Sequence, residues 1–124
     1  MRLYLDPNIP KSVFKIISSL EEARFPQKYE VVRGNWSDEY TAKDTVVFLV
    51  NPRAKGFDAT VTSHITDGYK VIAFRKPINE RIDVYECALT FLGYWRRILT
   101  DIDGTRAAVL ISFRSNGKYQ LVKT

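Results

Sequence analysis

Residues 45–50 read TVVFLV, a continuously apolar and largely β-branched run that Asn51-Pro52 closes. A strand of this composition has no polar side to turn to water, so both of its faces must be covered. That is the condition of a strand inside a parallel sheet with layers above and below it. Asn51 then marks the point where the chain leaves the sheet.

Upstream, Arg2–Leu5 is a shorter apolar run ended by Asp6-Pro7-Asn8-Ile9-Pro10. Its two prolines forbid a continuing strand, and Pro10 can open a helix. From Lys11 to Leu20, Val13, Phe14, Ile16, Ile17 and Leu20 recur at helical spacing, and residues 21–28 read as a polar exit. Tyr29–Val32 predicts a second strand, followed by the turn-rich Arg33-Gly34-Asn35-Trp36. Ser37 with Asp38, Glu39 and Tyr40 predicts a helix cap with acids in the first turn, where the helix dipole favours them.

Downstream, Phe57–Thr66 predicts a short helix ended by Asp67-Gly68, and Tyr69–Phe74 a further buried strand. Ile82–Leu99 predicts the longest helix, with Tyr85, Ala88, Leu89, Leu92 and Trp95 on the face that covers the sheet. Ala107–Phe113 and Tyr119–Val122 flank Ser115-Asn116-Gly117, and Asn-Gly is the strongest short hairpin signal. The expected order is strand, helix, strand, short helix, strand, helix, strand, helix, then two antiparallel strands, in one α/β domain over residues 1–124.

Composition narrows the chemistry. With 124 residues, 45% of them hydrophobic, one core is the expectation. Cys87 and His64 are the only cysteine and histidine, which excludes an internal disulfide, multi-cysteine zinc sites and a Ser-His-Asp hydrolase built on any other histidine. A formal net charge of +5 favours anionic partners, nucleic acid among them. No apolar run approaches the roughly 20 residues that cross a bilayer, and no leader-like pattern opens the sequence, so the expectation is a cytoplasmic protein without membrane contact.

Ligands of open parallel sheets bind beyond the carboxyl ends of the strands. There the sequence places Asp6 and Asn8, then Asp38 and Glu39, then Asn51 with Arg53 and Lys55, then Arg75 and Lys76. Carboxylates gathered at one edge repel each other, and a hard dication such as Mg²⁺ or Mn²⁺ relieves that repulsion while polarising a phosphodiester. The flanking cations and Asn8 would hold a nucleic acid. The same residues also serve as a turn, a helix start and a strand end, and local sequence leaves both readings open. The DxDGT pattern at Asp101–Thr105 follows a helix rather than a buried strand and reads as a helix-to-strand turn. His64 and Cys87 read as packing residues, and Trp95-Arg96-Arg97 as either a core tryptophan beside solvated arginines or an RNA contact.

The opening RLYLDPNIPKSVFKIISSL resembles the start of PIN-like nuclease domains, especially the compact group of bacterial toxin-antitoxin pairs. Asp38-Glu39-Tyr40, VVFLV, Asn51-Pro52-Arg53, YKVIAF and the closing long helix with Trp95-Arg96-Arg97 follow in the family's order. The resemblance implies a three-layer α/β sandwich, its short, mainly parallel sheet flanked by helices, with a C-terminal β-hairpin. It implies a Mg²⁺- or Mn²⁺-dependent endoribonuclease, the toxin of a toxin-antitoxin module, with RNA, an antitoxin and a homodimer as expected partners. Catalysis would involve Asp6, Asp38, Glu39 and Asn51, with Asp6, Asp38 and Asn51 as metal ligands. Asn51 departs from the pattern, since the family places an aspartate there, and Asp44 and Asp58 are candidate substitutes. The alternative is a catalytically inactive PIN-like domain that binds RNA or a protein.

Overall fold

A computed structural model describes residues 1–24, 28–51, 62–75, 83–104, 108–112 and 119–122. In chain order the elements are β1 (Arg2–Leu5), α1 (Lys11–Arg24), β2 (Glu30–Arg33), β3 (Thr45–Asn51), α2 (residues 62–66), β4 (Lys70–Arg75), α3 (Val84–Ile102), β5 (Ala108–Ser112) and β6 (Tyr119–Val122). The six strands form one sheet in the order β2-β1-β3-β4-β5-β6. Neighbours from β2 through β5 pair in parallel, and β6 pairs antiparallel with β5. Ser115-Asn116-Gly117 and residues 57–61 of the Phe57–Thr66 segment lie outside the described residues. Among the described residues no helix is long and apolar enough to cross a membrane.

The TVVFLV run sits between β1 and β4, covered on both faces as its composition requires. Strand alternation splits the core. Leu3, Leu5, Val46, Phe48, Val50, Ile72 and Phe74 point to one face, where they meet Val13 and Ile17 of α1 and Cys87, Phe91, Trp95 and Ile98 of α3. Phe74 and Phe91 stack with ring centroids 4.0 Å apart, so truncating Phe91 to alanine would cost about 3–5 kcal/mol. Tyr4, Val47, Leu49, Val71 and Ala73 point to the other face, under Val32, Tyr40, Ile65 and Tyr69.

Both ends of α3 are tied down. The Asp83 carboxylate accepts hydrogen bonds from the N–H groups of Tyr85 (2.8 Å) and Glu86 (3.3 Å), a conventional N-cap. At the other end Lys70 at the start of β4 donates to the carbonyls of Ile102 and Gly104, placing a cation at the negative end of the helix. Asp101-Ile102-Asp103-Gly104 is therefore a helix terminus.

Three expectations need correction. The segment after Ser37 is not a helix: Tyr40 N–H donates to Ser37 O and Asp44 N–H to Thr41 O, giving two successive turns. Only residues 34–44 separate β2 from β3, and they must return the chain from the carboxyl edge of the sheet to its amino edge, which leaves no length for helical turns. The buried face of α3 is Cys87, Phe91, Trp95, Ile98, Leu99 and Ile102; of the expected stripe Trp95 is buried and Ala88 packs against the core, while Tyr85, Leu89 and Leu92 are exposed. Glu21, expected in a polar exit, is buried within α1.

Connection geometry follows from the strand order. The β1-α1-β2 and β4-α3-β5 connections step in opposite directions across the sheet, yet α1 and α3 lie on the same face. Their hands are therefore opposite. The connection through α2, whose Ile65 packs on the other face, shares the hand of the first. Since parallel crossovers are overwhelmingly right-handed, the connection carrying α3 is the exceptional one. It brings α3 against α1, where Trp95 meets Glu21.

Candidate functional site

From β1 the chain moves to β2 on one side, and from β3 it moves to β4 on the other. The carboxyl ends of β1 and β3 therefore flank a topological switch point, where a sheet of this kind opens a crevice. Asp6 is the first residue beyond β1 and still donates its N–H to Phe48 O of β3 at 2.9 Å. Beyond it the chain turns sharply. Ile9 N–H donates to Asp6 O, and Asn8 N–H donates to the Asp6 carboxylate at 2.7 Å, an Asx turn. Ile9 is fully buried and anchors the loop in the core, while Pro7 and Asn8 are exposed.

Arg33, the last residue of β2, braces this loop from the side. Its Nε donates to Ile9 O at 2.7 Å and its Nη2 to Pro7 O at 2.9 Å. Asp6 is half-buried, and burial holds its carboxyl above the usual carboxylate range. The Asn8 N–H and the charges of His64 and Arg33 oppose that rise without overcoming it. His64 on α2 is shifted the other way. Burial lowers its imidazole pKa, against the pull of Asp67 and Asp6. The two groups thus attract each other, yet desolvation favours the neutral form of each.

An aromatic wall stands beside them. Trp36 lies with its ring centroid 4.9 Å from Tyr4, 5.2 Å from Tyr40, 5.4 Å from Tyr69 and 5.9 Å from His64. Tyr4 donates its hydroxyl to Gly34 O at 2.7 Å, and Gly34 N–H donates to Leu5 O, so the segment carrying Trp36 is fastened to β1 immediately before Asp6. Burial, then the charge of Asp6, raises the Tyr4 hydroxyl pKa and keeps it a proton donor. Trp36 remains 39% exposed despite these contacts, leaving indole surface open to solvent.

The expected site residues are only partly gathered. Asp6 is in the crevice, and Asn8 contacts it through its main-chain N–H. Asp38 and Glu39 are exposed on the turn after Ser37, whose Oγ accepts from Glu39 N–H at 3.2 Å. Asn51 ends β3 in register with Arg75 on β4, and for these two only the strand register is described. Leu5 pairs with Phe48, so Asn51 stands two residues farther along the edge than Asp6, about 7 Å. Arg53, Lys55, Asp58 and Lys76 lie outside the described residues. Asp44 is not a substitute ligand. It precedes β3 at the amino edge, where Arg2 N–H donates to its carbonyl and its side chain receives Arg2 Nη1 at 3.4 Å. Four strand residues separate it from the level of Asp6. Among the described residues no group of three His, Cys, Asp or Glu side chains is placed to hold a metal ion.

Arg33, Trp36, Tyr4 and His64 were not recognised as parts of a site. The available signal was the Arg33-Gly34-Asn35-Trp36 segment at the carboxyl end of β2, which parallel pairing sets beside the Asp6 loop. No family model, no curated protein and no solved structure matches the chain. The chemistry is therefore argued from these contacts. A half-buried carboxyl whose pKa is raised can accept a proton closer to neutrality than a free aspartate, or serve as one ligand of a hard cation.

Proposed function

We propose that the chain is a PIN-like, metal-dependent endoribonuclease working at the carboxyl ends of β1 and β3. The observation that carries this reading is the position of Asp6: at the switch point, held by the Asn8 N–H, and half-buried where burial works against its charge. A carboxylate is maintained at such a place against its own desolvation when a cation or a reacting proton compensates it. Mg²⁺ keeps several waters and needs only one or two protein carboxylates besides substrate phosphates, so Asp6 with its neighbours is a suitable donor set for Mg²⁺ or Mn²⁺.

Asp6 would hold the ion, with Asp38 or Glu39 and the Asn51 amide completing the set. Bound there, the ion supplies polarisation of a phosphodiester and activation of water. The exposed part of Trp36 offers a stacking surface for an unpaired base, the usual means of holding single-stranded RNA. Asn8, Arg53, Lys55, Arg75 and Lys76 would hold phosphates. An antitoxin would act by covering this crevice, in keeping with a small cytoplasmic toxin closed by a C-terminal β-hairpin.

The deciding experiment is Mn²⁺ titration of wild type and Asp6→Asn by calorimetry, followed by cleavage of a labelled single-stranded RNA. Metal binding and cleavage that both disappear in the variant support the proposal. Undiminished cleavage by Asp6→Asn removes Asp6 from the mechanism. A second reading, a catalytically inactive PIN-like module that binds RNA or a protein, is favoured by one observation, the neutral Asn51 where the family pattern has an aspartate. Asn51→Asp separates the two: new metal-dependent cleavage in an otherwise silent protein assigns the natural chain to the binding reading.

A further inference from the structure

Asp6 is straddled by hydrogen bonds from one short stretch of chain, the end of β2. Before it, Gly34 N–H donates to Leu5 O at 3.0 Å. After it, Arg33 donates through Nη2 to Pro7 O at 2.9 Å and through Nε to Ile9 O at 2.7 Å. Parallel pairing of Leu5 with Arg33 sets the register that makes these bonds possible. Within the loop, Ile9 N–H donates to Asp6 O and Asn8 N–H to the Asp6 carboxylate. Among the described residues, Arg33 is the one side chain that hydrogen-bonds this loop from outside it.

Two ordinary reasons for an arginine do not account for these contacts. Among the described residues no carboxylate oxygen lies within 4.0 Å of the Arg33 guanidinium, so the cation is not held there by an ion pair. Nor does it serve only to satisfy buried acceptors. The bond to Pro7 lies at the surface, where water would serve that carbonyl nearly as well. What water cannot do is tie two carbonyls, two residues apart, to one rigid plane. The guanidinium presents its donors in a fixed fork, which a lysine ammonium lacks. Holding Pro7 and Ile9 fixes the turn between them, and with it the Asn8 N–H that bonds the Asp6 carboxylate. Pro7 and Asn8 are exposed, so packing does not fix this stretch, and the arginine decides where the carboxylate stands.

We infer that Arg33 is a positioning residue for Asp6, resting on the metal-dependent reading above: by holding the Pro7 and Ile9 carbonyls it keeps the Asp6 carboxylate in the orientation a hard dication requires. The effect is geometric, and a purely electrostatic effect would have the opposite sign. A cation near a dication repels it, so an arginine acting through charge alone would weaken metal binding, and its removal would strengthen it. An arginine acting through the loop does the reverse. Groups that hold a metal ligand in place typically contribute about ten- to a hundredfold in affinity.

Calorimetric titration with Mn²⁺ alone, at neutral pH, compares wild type, Arg33→Met, Arg33→Lys and Glu30→Gln. Glu30 lies at the other end of β2, where it pairs with Arg2, and controls for a general loosening of that strand. Arg33→Met keeps an apolar stem without the fork and should bind Mn²⁺ at least about tenfold more weakly. Arg33→Lys keeps the charge and loses the fork, so it should be weakened in the same direction, and it carries the test if the methionine variant fails to fold. Glu30→Gln should match wild type. Amide exchange in the metal-free proteins gives a second readout. The Asn8 and Ile9 N–H groups should exchange severalfold faster in both Arg33 variants, while Val47 and Ile72 in the central strands keep their rates. Mn²⁺ binding that is undiminished or tighter in the Arg33 variants, an equal loss in Glu30→Gln, or unchanged exchange at Asn8 and Ile9 would overturn the inference and leave the metal site standing. A wild type that binds no Mn²⁺ would remove the proposed function itself, and the inference with it.

Discussion

The indole Nε1 of Trp95 donates a 2.7 Å hydrogen bond to Glu21 Oε1 in a contact that is buried on both sides. This bond joins α3 to α1 across the face of the sheet. It also explains how a charged residue type is retained inside the core, since buried polar groups are tolerated only when paired.

Replacing Trp95 with phenylalanine keeps a ring in the core but leaves the Glu21 carboxyl short of one donor. The expected cost is about 1–3 kcal/mol. Glu21→Gln retains an acceptor of the same shape and should lose less, while Glu21→Leu removes the acceptor from the buried Trp95 N–H and should lose more than Glu21→Gln. Urea unfolding of the three variants checks the order, and equal losses for Trp95→Phe and Glu21→Gln would mean that ring volume, not the hydrogen bond, dominates.

Asp6 should behave as a functional residue that reduces stability. Its folded pKa lies above the ordinary 3.8, so the folded state takes up a proton before the unfolded chain does. The stability this group contributes is fully present below 3.8 and is lost as pH rises through the folded value. At neutral pH Asp6→Asn should therefore unfold at the same temperature as wild type or higher, even as metal binding disappears. A large drop in melting temperature at neutral pH would show that the Asn8 and Arg33 contacts outweigh the cost of burial.

His64 carries the opposite slope. Its imidazole titrates below the ordinary 6.5, so the neutral form is the one that favours the fold. Its contribution is present above 6.5 and is lost as pH falls through the lowered folded value. His64→Phe keeps an aromatic ring beside Trp36 and Tyr69 and should remove this part of the acid destabilisation. Stability curves between neutral and mildly acidic pH compare the two proteins, and parallel curves would assign the acid sensitivity to other groups.

The sheet was legible because its central strands carry a two-sided apolar pattern that no helix or loop needs: VVFLV can satisfy its burial only between neighbours. The face of α3 was not legible. Tyr85-Leu89-Leu92 and Cys87-Phe91-Trp95 are both apolar at helical spacing, and the choice between them depends on which side α1 occupies, which the unusual hand of its connection decides. The Ser37-Asp38-Glu39 stretch has the local chemistry of a cap, but the short return from β2 to β3 overrides it. Asp6 could be read from its own loop. Arg33 and Trp36 could not, because parallel pairing of β1 with β2 brings them to it. Asp38 and Glu39, whose local pattern is that of a helix's first turn, lie instead on an exposed turn.

Two glycines offer a test of backbone physics with packing held constant. A Cβ at Gly34 or at Gly93 would meet nothing within 4 Å, so neither substitution by alanine creates a clash. Gly34 has φ of +91°, a conformation that L residues rarely adopt, whereas Gly93 lies within α3. Gly34→Ala should therefore lower stability by about 1–2 kcal/mol. It should also loosen the segment that presents Trp36, because Gly34 bonds both Leu5 and Tyr4. Gly93→Ala should raise stability by about 0.5–1 kcal/mol, through reduced freedom of the unfolded chain and better helix propensity. Denaturant unfolding should give opposite signs for the two changes. If both destabilise, something within the chain fills the space beside Gly93.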